Sequence, residues 1–212
     1  MVGKQSIPDV VIRRLPTYLR VLENLYEDSY GNVISSFELG DLAGVTPAQV
    51  RKDLSFVGAF GKQGLGYEVP TLRDELKRVL NLDKEIKVAI IGVGSLGHAI
   101  ARYIMERYDT ERDYHLRLVA LFDSSPEKVG TCINGVHIHH IDNFHSKAPE
   151  LGFRMVVIAV PAKAAQMVMD KCVSAGIEAV LNFAPVHLKA PEGVRVHNTD
   201  LSVDLMHLAY YL

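Results

Sequence analysis

The feature that most constrains the fold is the segment KVAIIGVGSLGHAI at residues 87–100. An almost continuous apolar run leads there into three glycines, at positions 92, 94 and 97, and residues compatible with a helix follow. Apolar runs without alternation predict strands that are buried on both faces, as in a parallel sheet covered by helices. A buried strand, a tight glycine turn and a helix in this order predict an α/β architecture.

The glycine spacing G-x-G-x-x-G gives each glycine a separate role. Gly92 permits a tight turn, Gly94 lets the backbone approach a pyrophosphate, and Gly97 allows close packing of helix on strand. The helix N-terminus then offers N–H groups and a partial positive charge to phosphates. The predicted phosphate contacts are Gly92, Val93, Gly94, Ser95, Leu96 and Gly97.

An acidic residue follows the loop at a suitable distance. The next apolar run, LRLVALFD, ends in Asp123, which stands 26 positions after Gly97 (123 − 97). A carboxylate at the end of the second strand can accept hydrogen bonds from ribose hydroxyls and repel a 2′-phosphate. Strand, loop, helix and acid together predict a dinucleotide-binding unit that prefers NAD to NADP.

Further apolar runs, GVHIHH, RMVVIAV, EAVLNF and VRVHN, predict more strands of the same sheet. Most are separated by segments that are long enough for a crossover helix. VVIAVPA ends at Pro161 and AVLNFAP ends at Pro185, both at predicted strand ends. These two segments either wall a nicotinamide ring or are ordinary β–α loops, since ligands of doubly wound sheets lie at the carboxyl ends of strands.

The first eighty residues have a different pattern, which predicts helices. SSFELGDLAG contains Ser35 and Glu38 at capping-box spacing, with Gly44 as a helix stop. In VTPAQVRKDLSFVG, Thr46 is a suitable N-cap, Gln49 completes a capping box with it, and a proline occupies the first helical position. Two capped helices joined by a short turn are typical of a helix-turn-helix.

A glycine-rich segment, GAFGKQGLGYEV, comes directly after the second of these helices. Glycines between aromatic and aliphatic residues favour a β-hairpin. A hairpin at this place corresponds to the wing of a winged helix. TLRDELKRVLNLD then predicts one more amphipathic helix.

The faces of the second helix can be assigned from helical periodicity. Val50, Leu54 and Val57 fall on one face and are expected to pack inward. Thr46, Ala48, Gln49, Arg51, Lys52 and Ser55 are the candidate DNA contacts, because arginine and glutamine side chains can pair with base edges. Arg13, Arg14 and the wing residue Lys62 are expected at the DNA backbone. Asp53 is expected to orient a basic neighbour.

Composition limits the function classes. The formal net charge of −2 argues against non-specific coating of nucleic acid but permits a local basic patch. No apolar run approaches the roughly 20 residues that span a bilayer, and the N-terminus has no signal-peptide core. We therefore expect a cytoplasmic protein without a membrane partner.

The remaining side chains give no sign of a metal centre or a catalytic set. His137 and His139 lie at alternate positions of a predicted strand, but no further ligand completes a site, so we expect no metal. Cys132 and Cys172 are too few and too scattered for a disulfide framework. After the predicted sheet only the apolar segment TDLSVDLMHLAYYL remains, which leaves no room for a substrate domain. We expect this segment to form a helix that must be buried, and we expect no enzyme.

The chain resembles the Rex family of redox-sensing transcriptional repressors in RRLPTYLRVLENL, AQVRKDLSFVGAFGKQGLGYEV, GVGSLGHAI, VVIAVPA and LNFAP. The resemblance implies a winged-helix DNA-binding domain at 1–82, a Rossmann-type domain that binds NADH and NAD+ at 83–198, and a C-terminal helix at 199–212 exchanged between the subunits of a homodimer. It also implies that the walls of the nicotinamide site lie near Pro161, Ala184 and Pro185.

The resemblance further implies that the dimer binds palindromic operator DNA and is released when NADH rises relative to NAD+. A switch network is implied at Arg20, Tyr103 and Asp200, with Asp200 paired to Arg20 in one state and to Tyr103 in the other. Two alternatives remain open from the residues. One is an NAD-dependent oxidoreductase with a helical N-terminal extension; the other is a regulator on the same scaffold that responds to a metal or to coenzyme A.

Overall fold

The computed structural model describes residues 7–27, 32–58, 61–62, 65–111 and 114–212. Packing divides the chain into two units, Met1–Lys84 and Glu85–Leu212. The sequence placed this boundary after residue 82. Each unit has its own hydrophobic core and is described by itself.

The described part of the first unit contains helices and a small antiparallel sheet. The helices are α1 (Asp9–Ile12), α2 (Leu15–Glu27), α3 (Ser36–Ala43), α4 (Pro47–Val57) and α5 (Val69–Val79). The strands are β1 (Val33–Ile34), β2 (Gly61–Lys62) and β3 (Gly66–Glu68), in the order β1-β3-β2. The hairpin β2–β3 is the predicted wing, whereas the two-residue strand β1 was not predicted.

The helix ends of the helix-turn-helix follow from their caps. Ser35 Oγ accepts the Glu38 N–H at 3.1 Å and the Glu38 carboxylate accepts the Ser35 N–H at 2.9 Å, which confirms the capping box of α3. Gly44 ends α3 with a φ of 69°, in the left-handed region. Thr46 Oγ1 accepts the Gln49 N–H at 3.2 Å. The reciprocal half of a box at α4 was predicted wrongly, because the Gln49 amide turns to Asp53 instead.

The core of the first unit is formed where α2, α3, α4 and α5 meet. Its fully buried residues include Leu15, Tyr18, Leu22, Leu39, Val50, Leu54, Leu72 and Leu76. Val50 and Leu54 therefore pack inward as predicted, and Val57 is partly buried against the same core. This packing fixes which side of α4 faces solvent.

The second unit is built on a seven-stranded sheet. The strands are β4 (Ile86–Ile91), β5 (Leu116–Asp123), β6 (Cys132–Ile133), β7 (Val136–His140), β8 (Met155–Ile158), β9 (Ala179–Asn182) and β10 (Arg195–Asn198). The helices are α6 (Ser95–Thr110), α7 (Phe144–Leu151), α8 (Ala162–Ser174) and α9 (Leu201–Ala209), with a short 3-10 helix at Ile141–Asn143.

The strand order is β10-β9-β8-β4-β5-β7-β6, and every pairing is parallel except β6 with β7. Ala101, Ile104 and Met105 of α6 pack on one face of the sheet. Helices α7 and α8 cover the other face through Phe144, Ala148 and Met169. The doubly wound sheet is confirmed, and each predicted strand lies within about a residue or two of its quoted segment. The short strand β6 was not predicted.

The direction in which successive strands are added across the sheet reverses at β4. From β4 the chain moves through β5 to β7, and it then returns to place β8, β9 and β10 on the opposite side of β4. The connections that follow β4 and β8 therefore run to opposite sides of the sheet. This divergence opens a crevice at the carboxyl ends of β4 and β8. The glycine loop and the segment after β8 meet there.

Helix α9 follows β10. Asp200 is its N-cap, and the Asp200 side chain accepts the Ser202 N–H at 2.9 Å. All residues from Leu201 to Leu212 are exposed in the single chain. The chain alone therefore does not bury this helix, although its sequence demands burial.

Candidate functional site

The glycine loop closes tightly against the neighbouring strands. Gly92 donates its N–H to the Phe122 carbonyl at 2.8 Å and has a φ of 95°. A Cβ atom on Gly92 would lie 2.5 Å from the Ala159 carbonyl oxygen. The position therefore requires glycine for its conformation and for its contact with the chain after β8.

Gly97 and Gly94 differ sharply in their surroundings. A Cβ on Gly97 would lie 1.9 Å from the Gly92 carbonyl oxygen, so helix α6 packs directly on the loop. A Cβ on Gly94 would meet nothing within 4 Å. Gly94, Ser95 and Leu96 are exposed, while Val93 is buried. The predicted roles of turn, close approach and packing match these three environments.

The start of α6 is suited to an anion. Gly94 is its N-cap and has no side chain that could satisfy the first amides of the helix. Unsatisfied N–H groups and the helix dipole attract phosphate at such an end. The structure thus places residues 92–97 as the predicted phosphate-binding loop requires, although phosphate contact itself stays a prediction.

Asp123 lies beside this loop at the end of β5. Its Oδ2 accepts the Val93 N–H at 2.8 Å, and its Oδ1 accepts the Ser125 N–H at 2.9 Å. Burial raises the pKa of Asp123, but hydrogen bonds from Ser125, Val93 and Lys128 outweigh it and hold the pKa below its usual value. The carboxylate is therefore ionised, and it both shapes the loop and remains the candidate ribose acceptor.

Lys128 was not singled out from the sequence. Its Nζ lies 3.0 Å from Asp123 Oδ2, and its side chain is 40% exposed. A cation beside the carboxylate offsets much of the charge that would repel a 2′-phosphate. Selection for a free 2′-hydroxyl at this place thus rests on the acceptor geometry of Asp123 more than on net charge.

A buried asparagine organises the segment after β9. Asn182 Nδ2 donates to the carbonyls of Ala184 and Val186, and its Oδ1 accepts the Ala184 N–H at 3.0 Å. Ala184 is buried and Pro185 is exposed, as is Pro161 at the N-cap of α8. Strand order puts these residues at the crevice edge, and their contact with nicotinamide stays a prediction. Asn182 was not predicted as a site residue, although it stands at the strand end in LNFAP.

Asn182 also joins this segment to the end of β10. Its Nδ2 lies 2.9 Å from Asn198 Oδ1, and its carbonyl accepts the Thr199 N–H at 2.8 Å. Asn198 Nδ2 in turn lies 3.4 Å from His187 Nδ1. The loop at Ala184 is therefore tied by hydrogen bonds to the residues that lead into α9.

In the first unit, the candidate DNA contacts on α4 are placed largely as predicted. Thr46, Ala48, Arg51, Lys52 and Ser55 are exposed. Arg51 Nη1 donates to Ser36 Oγ at 2.9 Å, and Ser55 Oγ donates to the Lys52 carbonyl at 2.7 Å. This surface carries two cations and small polar groups along the exposed side of α4, as base readout requires.

Two other candidates are placed differently from the prediction. Arg14 was expected at the DNA backbone, but its Nε and Nη2 lie 2.6 and 2.8 Å from the carboxylate oxygens of Asp53. Gln49 was expected to point outward, but its Nε2 donates to Asp53 Oδ1 at 2.6 Å. Both placements have one cause, since the buried Asp53 carboxylate must be surrounded by donors, and the contacts of Arg14 and Gln49 with DNA stay predictions. Asp53 thereby orients a basic neighbour, as expected.

The environment of Asp53 leaves the carboxyl group ionised. Burial raises its pKa, but hydrogen bonds from Arg14, Tyr18 and Gln49 outweigh burial and lower it. Burial, together with the bond to Asp53, raises the pKa of the Tyr18 hydroxyl, which donates to Asp53 Oδ2 at 2.8 Å. Tyr18 was not among the predicted site residues.

The other predicted contacts of the first unit are simple to place. Arg13 is exposed and pairs with Asp9 at 2.7 Å. The backbone of Lys62 pairs with Gly66 in the wing, while its side chain lies outside the described residues.

The proposed switch residues occupy separate environments. Arg20 is exposed on α2. The Tyr103 hydroxyl accepts a hydrogen bond from Arg107 at 3.0 Å, and Asp200 caps α9. Within the second unit, Tyr103 and Asp200 are each bonded elsewhere, so their predicted pairing is untested.

Metal ligands do not gather in the described part of the chain, where no group of three histidine, cysteine or acidic side chains can hold a metal ion. The rings of His137 and His139 lie 6.4 Å apart on β7. Cys132 is exposed, and burial raises the pKa of the Cys172 thiol to about 12. None of the described helices is long and apolar enough to cross a membrane.

Two family models match the chain. A CoA binding domain matches residues 83–186, and a putative DNA-binding protein N-terminus matches residues 6–55. The first covers most of the doubly wound unit, and the second covers the helices from α1 to most of α4.

Curated relatives match almost the full length. A redox-sensing transcriptional repressor Rex from Roseiflexus sp. (strain RS-1) is 46% identical and covers 97% of this chain and 90% of the relative. The Rex repressor from Brevibacillus brevis is 40% identical and covers both chains completely. The chain belongs to the Rex family. These relatives are named as transcriptional repressors, which confirms the resemblance noted in the sequence and speaks against the oxidoreductase alternative.

Solved structures of a Rex-family repressor named RSP have the same fold. RSP in complex with β-NAD+ and operator DNA matches with a TM-score of 0.86 at 36% identity, covering 97% of this chain and 92% of that chain. RSP in complex with β-NADH matches with a TM-score of 0.84 at 34% identity, covering 98% and 94%. The winged helix and the doubly wound sheet are thus those of the Rex family.

The contrast between Gly97 and Gly94 can be tested by stability. Gly97→Ala forces a methyl group against the Gly92 carbonyl, so we expect the melting temperature of the second unit to fall by about 10 °C or more. Gly94→Ala adds the same methyl in open space and should leave the melting temperature within about 2 °C. Thermal unfolding followed by circular dichroism measures both, and equal losses would contradict the packing role of Gly97.

The environment of Asp123 predicts a pH dependence of stability. Because its folded pKa is lowered, the carboxylate contributes stability that is fully present above the unfolded pKa of about 4 and is lost as pH falls through the folded pKa. Asp123→Asn should therefore have a lower melting temperature than wild type at pH 6. Between pH 5 and pH 3, sampled about one pH unit apart, the variant should lose less stability than wild type loses. Melting curves at each pH test this, with Asp109→Asn, an exposed residue of α6, as the control. Parallel curves for wild type and Asp123→Asn would refute it.

Proposed function

We propose that this chain is a homodimeric redox-sensing repressor that binds palindromic operator DNA and is released when NADH rises relative to NAD+. Membership of the Rex family and the complexes of RSP with operator DNA, NAD+ and NADH support this function. The protein acts in the cytoplasm, where its DNA and the NAD pool are found.

One observation carries the proposal. A single chain holds an open phosphate-binding loop with an ionised acid beside it, and also a helix-turn-helix whose second helix exposes Arg51 and Lys52. The nucleotide is bound by residues 92–97, Asp123 and the segments at Pro161, Ala184 and Pro185. DNA is read by Arg51, Gln49 and Lys52, with Thr46, Ala48 and Ser55 beside them. The DNA backbone is contacted by Arg13, Lys62 and Arg14.

NADH and DNA are coupled through two states of the dimer. Because the coupling is reciprocal, NADH that prefers the released state weakens DNA binding by the factor by which DNA weakens NADH binding. Reduction removes the positive charge of the nicotinamide ring, and a dry apolar wall at Ala184 favours the neutral ring. Arg20, Tyr103 and Asp200 form the switch that distinguishes the two states.

The dimer is held partly by α9, exchanged between subunits. In the single chain this helix exposes Leu201, Leu205, Leu208 and Leu212. An exposed stripe of four leucines favours a partner of the same chain, since soluble proteins rarely leave such a surface to water.

The function is tested by fluorescence anisotropy on an operator selected from random DNA, with NADH and NAD+ titrated at fixed salt. NADH should release the DNA at concentrations well below those at which NAD+ does. Arg51→Ala should weaken operator binding at least about 10-fold, because the variant loses the pair of hydrogen bonds that Arg51 makes to a base edge. NADH binding by the variant should be unchanged.

Arg78→Ala, an exposed arginine on α5 that pairs with Glu75, is the matched control and should bind the operator like wild type. Unchanged affinity in Arg51→Ala would refute the assignment of the recognition helix. DNA binding that ignores both nucleotides would refute redox sensing, and coenzyme A and divalent metals would then be titrated to test the remaining alternative.

The role of α9 is tested by a charge in its leucine stripe. Leu205→Glu buries a carboxylate in the proposed interface, so we expect the dimer to dissociate at micromolar concentrations. Met167→Glu, at a side chain on α8 that is 60% exposed, is the control and should stay dimeric. Light scattering after gel filtration measures the mass, and a dimeric Leu205→Glu variant would contradict the exchange.

A further inference from the structure

Asp53 lies on the recognition helix α4, but its side chain is fully buried. Four donors reach its two oxygens. Arg14 supplies two of them, Tyr18 supplies its hydroxyl at 2.8 Å, and Gln49 supplies Nε2 at 2.6 Å. A carboxylate has about four lone-pair sites, so these donors satisfy it completely.

The charge of Asp53 decides which way the Gln49 amide faces. An ionised carboxylate accepts hydrogen bonds and donates none, so Nε2 must face it and Oε1 must face away. The fork of Arg14 and the Tyr18 hydroxyl fix the carboxylate itself, because three of its four contacts come from α2 and the residue just before it. The amide orientation of Gln49 is therefore set by residues outside the exposed surface of α4.

The free edge of this amide matches one base. Gln49 is half-exposed in the first turn of α4, where recognition helices contact base edges. Within the described residues, Asp53 is the one hydrogen-bond partner of its side chain, which leaves Oε1 and the second N–H of Nε2. Adenine offers a donor at N6 and an acceptor at N7 in the major groove. Oε1 and the free N–H are the complementary pair.

We propose that Asp53 is a positioning residue that determines specificity, because it locks the Gln49 amide in the orientation that reads adenine. This inference rests on the proposed function and adds to it one base in each operator half-site. Asp53 does not touch DNA. It acts by excluding the flipped amide, and it reduces the side-chain freedom that Gln49 loses on binding.

The first test compares base preferences of four proteins by selection from random DNA: wild type, Asp53→Asn, Gln49→Ala and Tyr18→Phe. An amide at position 53 can also donate, and it then pairs with Oε1 and allows the flipped Gln49. We expect wild type to prefer adenine at one position of each half-site by at least about 5-fold, and Asp53→Asn and Gln49→Ala to lose that preference. Preferences at other positions stay.

Tyr18→Phe is the matched control. It removes a donor from the same carboxylate without touching Gln49, so it lowers stability but keeps the adenine preference. A preference lost equally in this variant would mean that loosened packing, not amide orientation, sets specificity.

A second test needs wild type alone and stays informative if Asp53→Asn does not fold. Replacing the selected adenine by 7-deazaadenine removes N7, and replacing it by purine removes the N6 amino group. Each change should weaken binding about 5-fold at that position, since each breaks one half of the pair.

The inference is overturned if wild type has no position that is sensitive to both analogues, or if a folded Asp53→Asn keeps the adenine preference. Failure of the proposed function gives a different result, in which wild type selects no sequence or does not respond to NADH.

Discussion

The second unit depends on one close approach of backbone to backbone, where α6 packs on the glycine loop. The Gly97 Cα has room for hydrogen alone because the Gly92 carbonyl lies against it, and Gly92 in turn lies against the Ala159 carbonyl. This contact joins β4, α6 and the chain after β8 at the reversal of strand order. The helix start can then face the crevice with its amides free. Every feature proposed for nucleotide binding lies at the edge that this contact creates.

Two buried carboxylates perform the same physical task in the two units. Asp123 gathers the Val93 and Ser125 amides with Lys128, and Asp53 gathers Arg14, Tyr18 and Gln49. Each must be surrounded by donors, because a buried charge without partners is costly. Each therefore fixes groups that lie next to a proposed ligand. Removal of the Asp53 charge would disturb the DNA-binding surface without removing a group that contacts DNA, whereas Asp123 is also the proposed ribose acceptor.

Much of the fold followed from local signals. The glycine spacing, the capping box at Ser35 and the apolar runs predicted the helix-turn-helix and the parallel strands, because each depends on neighbouring residues. The interactions that were missed depend on residues far apart in sequence. Arg14 meets Asp53 across 39 positions, and the pairing of Asn182 with Asn198 spans 16. Spacing along α4 cannot show that Arg14, which lies outside that helix, supplies a partner for Asp53, so this contact was missed.

If α9 holds the dimer together as proposed, the regulator is sensitive to its own abundance. A chain whose apolar helix is covered by a second copy forms dimers in proportion to the square of its concentration when it is scarce. Operator occupancy then falls more steeply on dilution than it would for a monomer. The leucine stripe would therefore set a threshold concentration of the protein. Below it, too few dimers occupy the operator for a change in NADH to alter repression.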